Sequence, residues 1–270
     1  MIVNSKFSSL YLGRKEYWKT PFEQDVCYIQ KFAINEEIRI QFKGLSSNFS
    51  AKYINYDGIE TIVNVELIYI MPGNDSERIY EVVFSINKEG LYIFTLTNGY
   101  EEASTELFIL KKEELENTVL ISYTHRHNEY NTFFYGNNGD RKIFNFRVDG
   151  GFYPGDKKQA VDNEMFRDQR YYPHQLSSNA YEISILTIGT KQGVPVWVGN
   201  KINHIFNLSD IAIDGVETVR SEASIPTIEH IADYYPLYVF KFDVEQPDED
   251  RIYSSKSYRV FDTTYDNTFN

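Results

Sequence analysis

Residues 90–110 read "GLYIFTLTNGYEEASTELFIL". Leu91, Ile93 and Thr95 alternate with Tyr92, Phe94 and Leu96, Asn98 and Gly99 interrupt the pattern, and an apolar run resumes from Leu107 to Leu110. Alternation with a period of two places successive side chains on opposite faces, which is the mark of a β-strand. Asn and Gly are turn residues, so this stretch reads as strand, turn, strand.

The same pattern extends in both directions. Upstream, Ile38, Ile40 and Phe42 alternate with Glu37, Arg39 and Gln41. Val63, Val65, Leu67 and Tyr69 alternate with polar Asn64 and Glu66 and with Ile68, as one strand, and Tyr80, Val82 and Phe84 form another. Turn residues stand between them at Asp57-Gly58, at "PGND" (72–75) and at Glu89-Gly90. Downstream, a second series opens at Val119, Leu120 and Ile121. Phe144, Phe146 and Val148 share one face, with Ile143, Asn145 and Arg147 on the other. Tyr181, Ile183, Ile185 and Thr187 make a further strand. Ile211 and Ile213 lead to the hairpin-like pair Asp214-Gly215, from which Val216 and Val219 return. Leu237, Val239 and Lys241 oppose Tyr238, Phe240 and Phe242. Strands spaced by roughly 10–15 residues with turn signals between them suggest sandwiches.

One helix is expected near 195–208. Val198, Ile202, Ile205 and Phe206 fall on one helical face, and Pro195 suits its first turn. A weaker helical turn is expected from Ile228 to Tyr234. The glycine-rich segment "DGGFYPGD" (149–156) reads as a bend or bulge after the Phe144 strand.

The chain has 270 residues, more than the roughly 100–200 of a usual single domain. The expected fold is mainly β, with two β-sandwich-like domains and one short amphipathic helix in the second. The expected divisions are an N-terminal sandwich over 1–110, a linker or helical turn over 111–117, a β-rich assembly domain over 118–250, and a polar C-terminal arm over 251–270. The arm is poorly periodic, and such segments often order only against a neighbour.

Composition excludes several classes of function. The net charge is −12, and no basic run exceeds a pair such as Lys111-Lys112 or Lys157-Lys158. Binding along a nucleic-acid backbone needs a basic surface, so no sequence-specific nucleic-acid partner is expected. No stretch reaches the ~18 apolar residues of a membrane span, so no membrane insertion is expected. The first residues lack a signal peptide's apolar block, which points to synthesis in a cytosol. Cys27 is the only cysteine, which rules out an intramolecular disulfide and a multi-cysteine zinc site. It sits in the apolar alternation "DVCYIQKF" as a small core residue. Tyrosine is abundant, at 22 residues, and its apolar ring with a polar tip suits interfaces as well as strand edges.

No catalytic constellation emerges. His125 and His127 could share one face of a strand and one metal ion, with Glu129 as a third ligand, but a polar strand edge is the plainer reading. The carboxylate pairs Glu101/Glu102 and Glu113/Glu114, and the run Asp248, Glu249, Asp250, lie in turn-like segments where solvated charge is usual. "PGNDSE" (72–77) and "NNGD" (137–140) lack EF-hand spacing and read as hairpin loops. There is no G-x-S-x-G elbow and no phosphate-binding glycine loop. No catalytic residue, metal or cofactor is expected. A sugar-binding face would need exposed aromatics. Trp18, in a polar lead-in, is the candidate glycan contact, and Trp197, at the head of the helix, is expected to be packed.

Residues 90–110, then "NTVLISYTHRHNEYNTFF" with "FNFRVDGGF", and then "MFRDQ" and "LSSNAYEISILTIGTKQGVPVWVGNKINHIFNLSDIAIDG" with "YYPLYVFKFDVE", resemble structural proteins of tailed bacteriophages and prophages. The resemblance covers residues 90–245 and carries no functional residues, because the pattern is structural. It implies a non-enzymatic virion building block of the tail, baseplate or hub, or neck ring, in particles that include short-tailed crAss-like ones. Its implied partners are other tail or neck proteins and copies of itself in a homo-oligomeric ring. Its implied location is the virion, after synthesis in the host cytoplasm. The alternative function is host-glycan adhesion by the N-terminal sandwich as a carbohydrate-binding module.

Overall fold

The computed structural model describes residues 2–3, 6–12, 28–45, 48–71, 77–136, 139–190, 192–222, 224–231 and 236–247. Trp18, Cys27, the 72–76 segment and the C-terminal 251–270 lie outside the described residues. Among the described residues the chain is mainly β with one α-helix.

The first nine strands are β1 (Ile2–Val3), β2 (Gln30–Ala33), β3 (Ile38–Gly44), β4 (Ser50–Asn55), β5 (Glu60–Val63), β6 (Val65–Ile70), β7 (Arg78–Phe84), β8 (Gly90–Thr97) and β9 (Glu102–Leu110). They form a four-stranded sheet, β1-β3-β7-β6, and a five-stranded sheet, β2-β9-β8-β4-β5. The inner faces supply one buried core. Ile38, Ile40 and Phe42 meet Tyr80, Val82 and Phe84 from one sheet and Tyr92, Phe94 and Leu96 from the other. These are the alternations seen in the sequence, and burying one face of each strand is what holds the register.

Val63 to Tyr69 is not one strand. It divides at Asn64, so that Val63 pairs with Ala51 in the five-stranded sheet while Val65 pairs with Val82 in the other. Val63 and Val65, on either side of the break, both pack on the first core, so the alternation hides it; Leu67 beyond them is exposed, and the register slips between Leu67 and Tyr69.

A 3₁₀ turn, Lys112–Leu115, follows β9, and the Thr118 hydroxyl donates to the Leu115 carbonyl at 2.8 Å. Beyond it lie β10 (Thr118–Thr124), β11 (Phe144–Arg167), β12 (Pro173–Ile188), α1 (Val196–Ile205), β13 (Asp210–Ile213), β14 (Val216–Glu217), β15 (Val219–Arg220), β16 (Thr227–His230) and β17 (Tyr238–Glu245). Their order is β14-β13-β10-β11-β12-β17-β15, with β16 also on β17. β11 changes neighbour along its length. It pairs with β10 up to Asp149 and with β12 from Gly150 onward. α1 packs against strands on both sides of that switch. Val198, Ile202 and Ile205 of α1 are buried with Phe144, Phe146, Phe240 and Phe242. Among the described residues no helix is long and apolar enough to cross a membrane.

Three local expectations change. The core residues of β12 are Leu186 and Ile188, which alternate with the expected set Tyr181, Ile183, Ile185 and Thr187; of that set only Thr187 is buried. Val219 does not continue the β14 return but pairs with Glu245 of β17. Ile228 lies in a strand rather than a helical turn, because β17 offers it an open edge and Ile228 faces Phe240 across that pair.

The two cores are joined by a buried thread. Phe7 packs in the second core while Leu10 and Leu12 pack in the first. The Tyr123 hydroxyl donates to the Phe7 carbonyl at 2.7 Å, and the Lys201 ammonium donates to the Ser8 carbonyl.

Candidate functional site

Among the described residues, the longest run of exposed regular structure is the far part of the β11–β12 hairpin. Pairing between β12 and β17 stops at Ser184. Beyond it the two strands continue as a ribbon, from Lys158↔Ile183 out to Arg167↔Pro173. At ~3.3 Å per residue this arm projects about 30 Å from the sheet. From residue 153 to 180 every residue except Ala160 and Asp168 is exposed.

Local chemistry explains how the ribbon leaves the body. Gly150 sits where a Cβ atom would lie 2.5 Å from the Thr187 carbonyl oxygen, so only glycine lets the strands cross this closely. The register then slips between Phe152 and Lys157, and Gly155 takes a φ of +94° there. The expected bulge in "DGGFYPGD" is present, but the strand continues through it. At the base Lys158 reaches Asp243 at 2.7 Å, and Lys157 pairs with Glu182, whose carboxyl that hydrogen bond holds below its ordinary range.

The tip is a closed turn built on Asp168. Its Oδ1 accepts the backbone N–H groups of Arg170 at 2.8 Å and Tyr172 at 3.0 Å, and His174 Nε2 lies 3.4 Å from Oδ2. Hydrogen bonding from Tyr172, then Arg170 and His174, keeps the Asp168 carboxyl below its ordinary range. Tyr171 occupies the left-handed region, with φ +64°. Around this turn stand Tyr171 at 80% exposure, Tyr172 at 64% and Phe166 at 55%, with Met165 and Leu176 beside them.

A two-stranded ribbon alone in water is marginally stable, and its outer edges carry unpaired N–H and C=O groups. Val161, Met165, Phe166 and Leu176 stand exposed along it. Tyr, Arg, Phe and Met are also the residues enriched at protein interfaces, and Tyr and Arg are common among the few that carry binding energy. The arm therefore has the composition, as well as the shape, that association elements share. It was not apparent in the sequence.

The other candidates are brought into ordinary packing. His125 Nδ1 accepts the Ser209 N–H at 3.1 Å, and its Nε2 lies 3.6 Å from Glu129, with the His127 ring 6.2 Å away. Among the described residues no group of three or more His, Cys, Asp and Glu is placed to hold a metal ion. Trp197 stacks on Tyr11 at 4.2 Å and meets Tyr28 edge-on, so it is packed as expected. The buried carboxylates are bound to cations. Glu81 holds Arg39 and Lys142, and Glu36 holds Arg147 at 2.8 Å. Glu113 and Glu114 lie exposed in the 3₁₀ turn.

No protein-family model matches the chain, and no curated protein sequence matches it.

Proposed function

We propose that this protein is a non-enzymatic structural subunit of a tailed-phage particle, a component of the tail, baseplate or hub, or neck ring, that works through protein–protein contacts. The projecting β11–β12 arm carries the reading. An exposed ribbon tipped with Tyr171, Tyr172, Arg167 and Arg170 has a use in an assembly and none in a monomer. The sequence resemblance over residues 90–245 supplies the kind of assembly. The two cores, joined by buried ion pairs and by the thread through Phe7, make a firm base for a lever of this length.

Immunogold electron microscopy tests the proposal. Antiserum to this protein is applied to particles released from a culture of the source organism or its phage. Gold at the tail, baseplate or neck is the expected result. Unlabelled particles beside a labelled control, with the protein also missing from their denatured protein profile, would overturn it.

A further inference from the structure

We infer that the arm of one copy docks on a second copy of this chain, in the cleft between β6 and the 133–142 loop. The inference rests on the reading of the arm as an assembly element and names what that element binds.

The tip carries charge that its own chain leaves unanswered. Neither the Arg167 nor the Arg170 guanidinium has an ion pair or hydrogen bond among the described residues. Asp168, which lies beside them, is already taken up by backbone N–H groups and His174. Two cations, flanked by Tyr171 and Tyr172, therefore point outward.

The complementary surface lies at the junction of the two cores. Glu66 and Leu67 of β6 form one wall of a cleft of about 290 Å³, and Phe133, Tyr135 and Asp140 form the other. The Glu66 and Asp140 carboxylates are exposed and have no partner among the described residues. The neighbouring cation, Lys142, is committed to Glu81 at 2.6 Å. The volume is just below the ~300–1,000 Å³ usual for small-molecule pockets, which suits one or two inserted side chains better than a ligand. β6 is also the last strand of its sheet, with Leu67 and Ile70 exposed along it. A ribbon laid against β6 would satisfy free backbone groups on both elements. The larger cleft beside β10 and β13 is lined by Arg126 and Arg141 together with Asp210 and Glu217, with Arg141 paired to Asp210 at 2.9 Å, so it offers the cationic tip no net negative charge.

Charge balance favours a second copy as the occupant. Within residues 153–180 the cations Lys157, Lys158, Arg167 and Arg170 balance Asp156, Asp162, Glu164 and Asp168. The body therefore bears the whole −12. Two bodies repel, and the neutral arm with its cationic tip bridges them. A contact between two different surfaces of identical chains is heterologous, so it closes into a ring or runs on as a filament.

Sedimentation velocity of the full chain, over protein concentration and salt, tests this. The expected result is self-association that weakens as salt screens the exposed charges. Replacing residues 161–180 by Asn-Gly, closed on the Ala160–Tyr181 pair, is expected to give a monomer with unchanged near-ultraviolet circular dichroism. Arg167→Glu with Arg170→Glu, and separately Glu66→Arg with Asp140→Arg, should each weaken association by about tenfold or more. All four changes in one chain should recover most of it. A monomeric wild type, association indifferent to arm removal, or no recovery in the fourfold variant would each overturn the inference. A monomeric protein that still labels particles overturns this inference and leaves the virion reading standing. An arm-dependent oligomer absent from particles supports this inference and removes the virion reading.

Discussion

Glu81 accepts the Lys142 ammonium at 2.6 Å, and this ion pair links the sheet of the first core to the loop of the second. Glu81 lies in β7 at 4% exposure, where it also receives Arg39 at 3.0 Å and the Gln41 amide at 2.8 Å. The same Gln41 exchanges hydrogen bonds with the Phe133 backbone, accepting its N–H at 2.8 Å and donating to its carbonyl at 2.9 Å. The junction between the cores is thus polar, and of these groups the Arg39 Nε is left without a hydrogen-bond partner among the described residues. Removing one member of a buried ion network leaves the others charged and unanswered, which costs far more than the pair contributes net. Glu81→Ala should therefore lower stability by about 3–5 kcal/mol in urea unfolding. Glu81→Gln, which can keep a hydrogen bond to Gln41 or Lys142, should cost less. Equal losses for the two variants would mean that charge at this junction does not matter.

Lys201 gives a pH dependence that can be isolated. It projects from α1 into the second core, 4.8 Å from the centre of the Phe146 ring, and is buried together with Ser8, whose carbonyl it binds. Burial brings its pKa down to about 7. An unfolded lysine titrates near 10.4. Between those values the unfolded chain binds more protons than the folded one, so stability rises with pH across that window. The penalty is full below the folded pKa and disappears above the unfolded one. Lys201→Met has no such group. Its stability relative to wild type should be constant below pH 7 and should fall steadily from pH 7 to 10, when both are measured by denaturant unfolding at each pH. A difference that is flat across the whole range would mean that Lys201 stays charged in the fold.

The two adjacent glycines at the root of the arm make a matched pair. A Cβ on Gly150 would meet the Thr187 carbonyl at 2.5 Å and Ile188 Cδ1 at 2.9 Å, while one on Gly151 would meet nothing within 4 Å. Backbone cannot yield as a side-chain tip can, so Gly150→Ala should cost about 1–3 kcal/mol as an overpacking change. Gly151→Ala should be nearly neutral in the same thermal or urea assay. Similar losses for both would show that the strand crossing is looser than its geometry implies.

The strands and the helix were legible because each buries one face. Ile38, Ile40 and Phe42, or Phe144, Phe146 and Val148, alternate in sequence and are all at most 1% exposed in the fold. Asp214 and Gly215 both take positive φ, as an Asp-Gly hairpin turn requires. Periodicity shows which face is inward but not which sheet a strand joins, so the break at Asn64 was hidden. The arm was hidden for the opposite reason. Neither of its faces is buried, so residues 157–182 have no apolar period to detect. Its turn carries no glycine either, because Tyr171 supplies the left-handed backbone while Asp168 ties the turn together. The thread at residues 7–10, "FSSL", is too short for any pattern, and only tertiary contact reveals Phe7 as a core residue.

The arm and the body should also separate in their dynamics. Backbone hydrogen bonds of a lone ribbon are open to water on both faces, and no core must come apart to break them. Phe144, Phe146 and Val148 lie in the same strand but under a packed core. Hydrogen exchange of the dilute, monomeric chain should therefore be fast through residues 157–182 and slow through 144–149, although β11 is one continuous strand. If the arm adds to the edge of a neighbouring β6, exchange should slow on assembly in both the arm and β6 and should change little in β8 or α1. Protection confined to the arm would place its partner on a surface other than β6. An arm already protected in the monomer would mean that the ribbon is stable alone, so its length would not by itself require a partner.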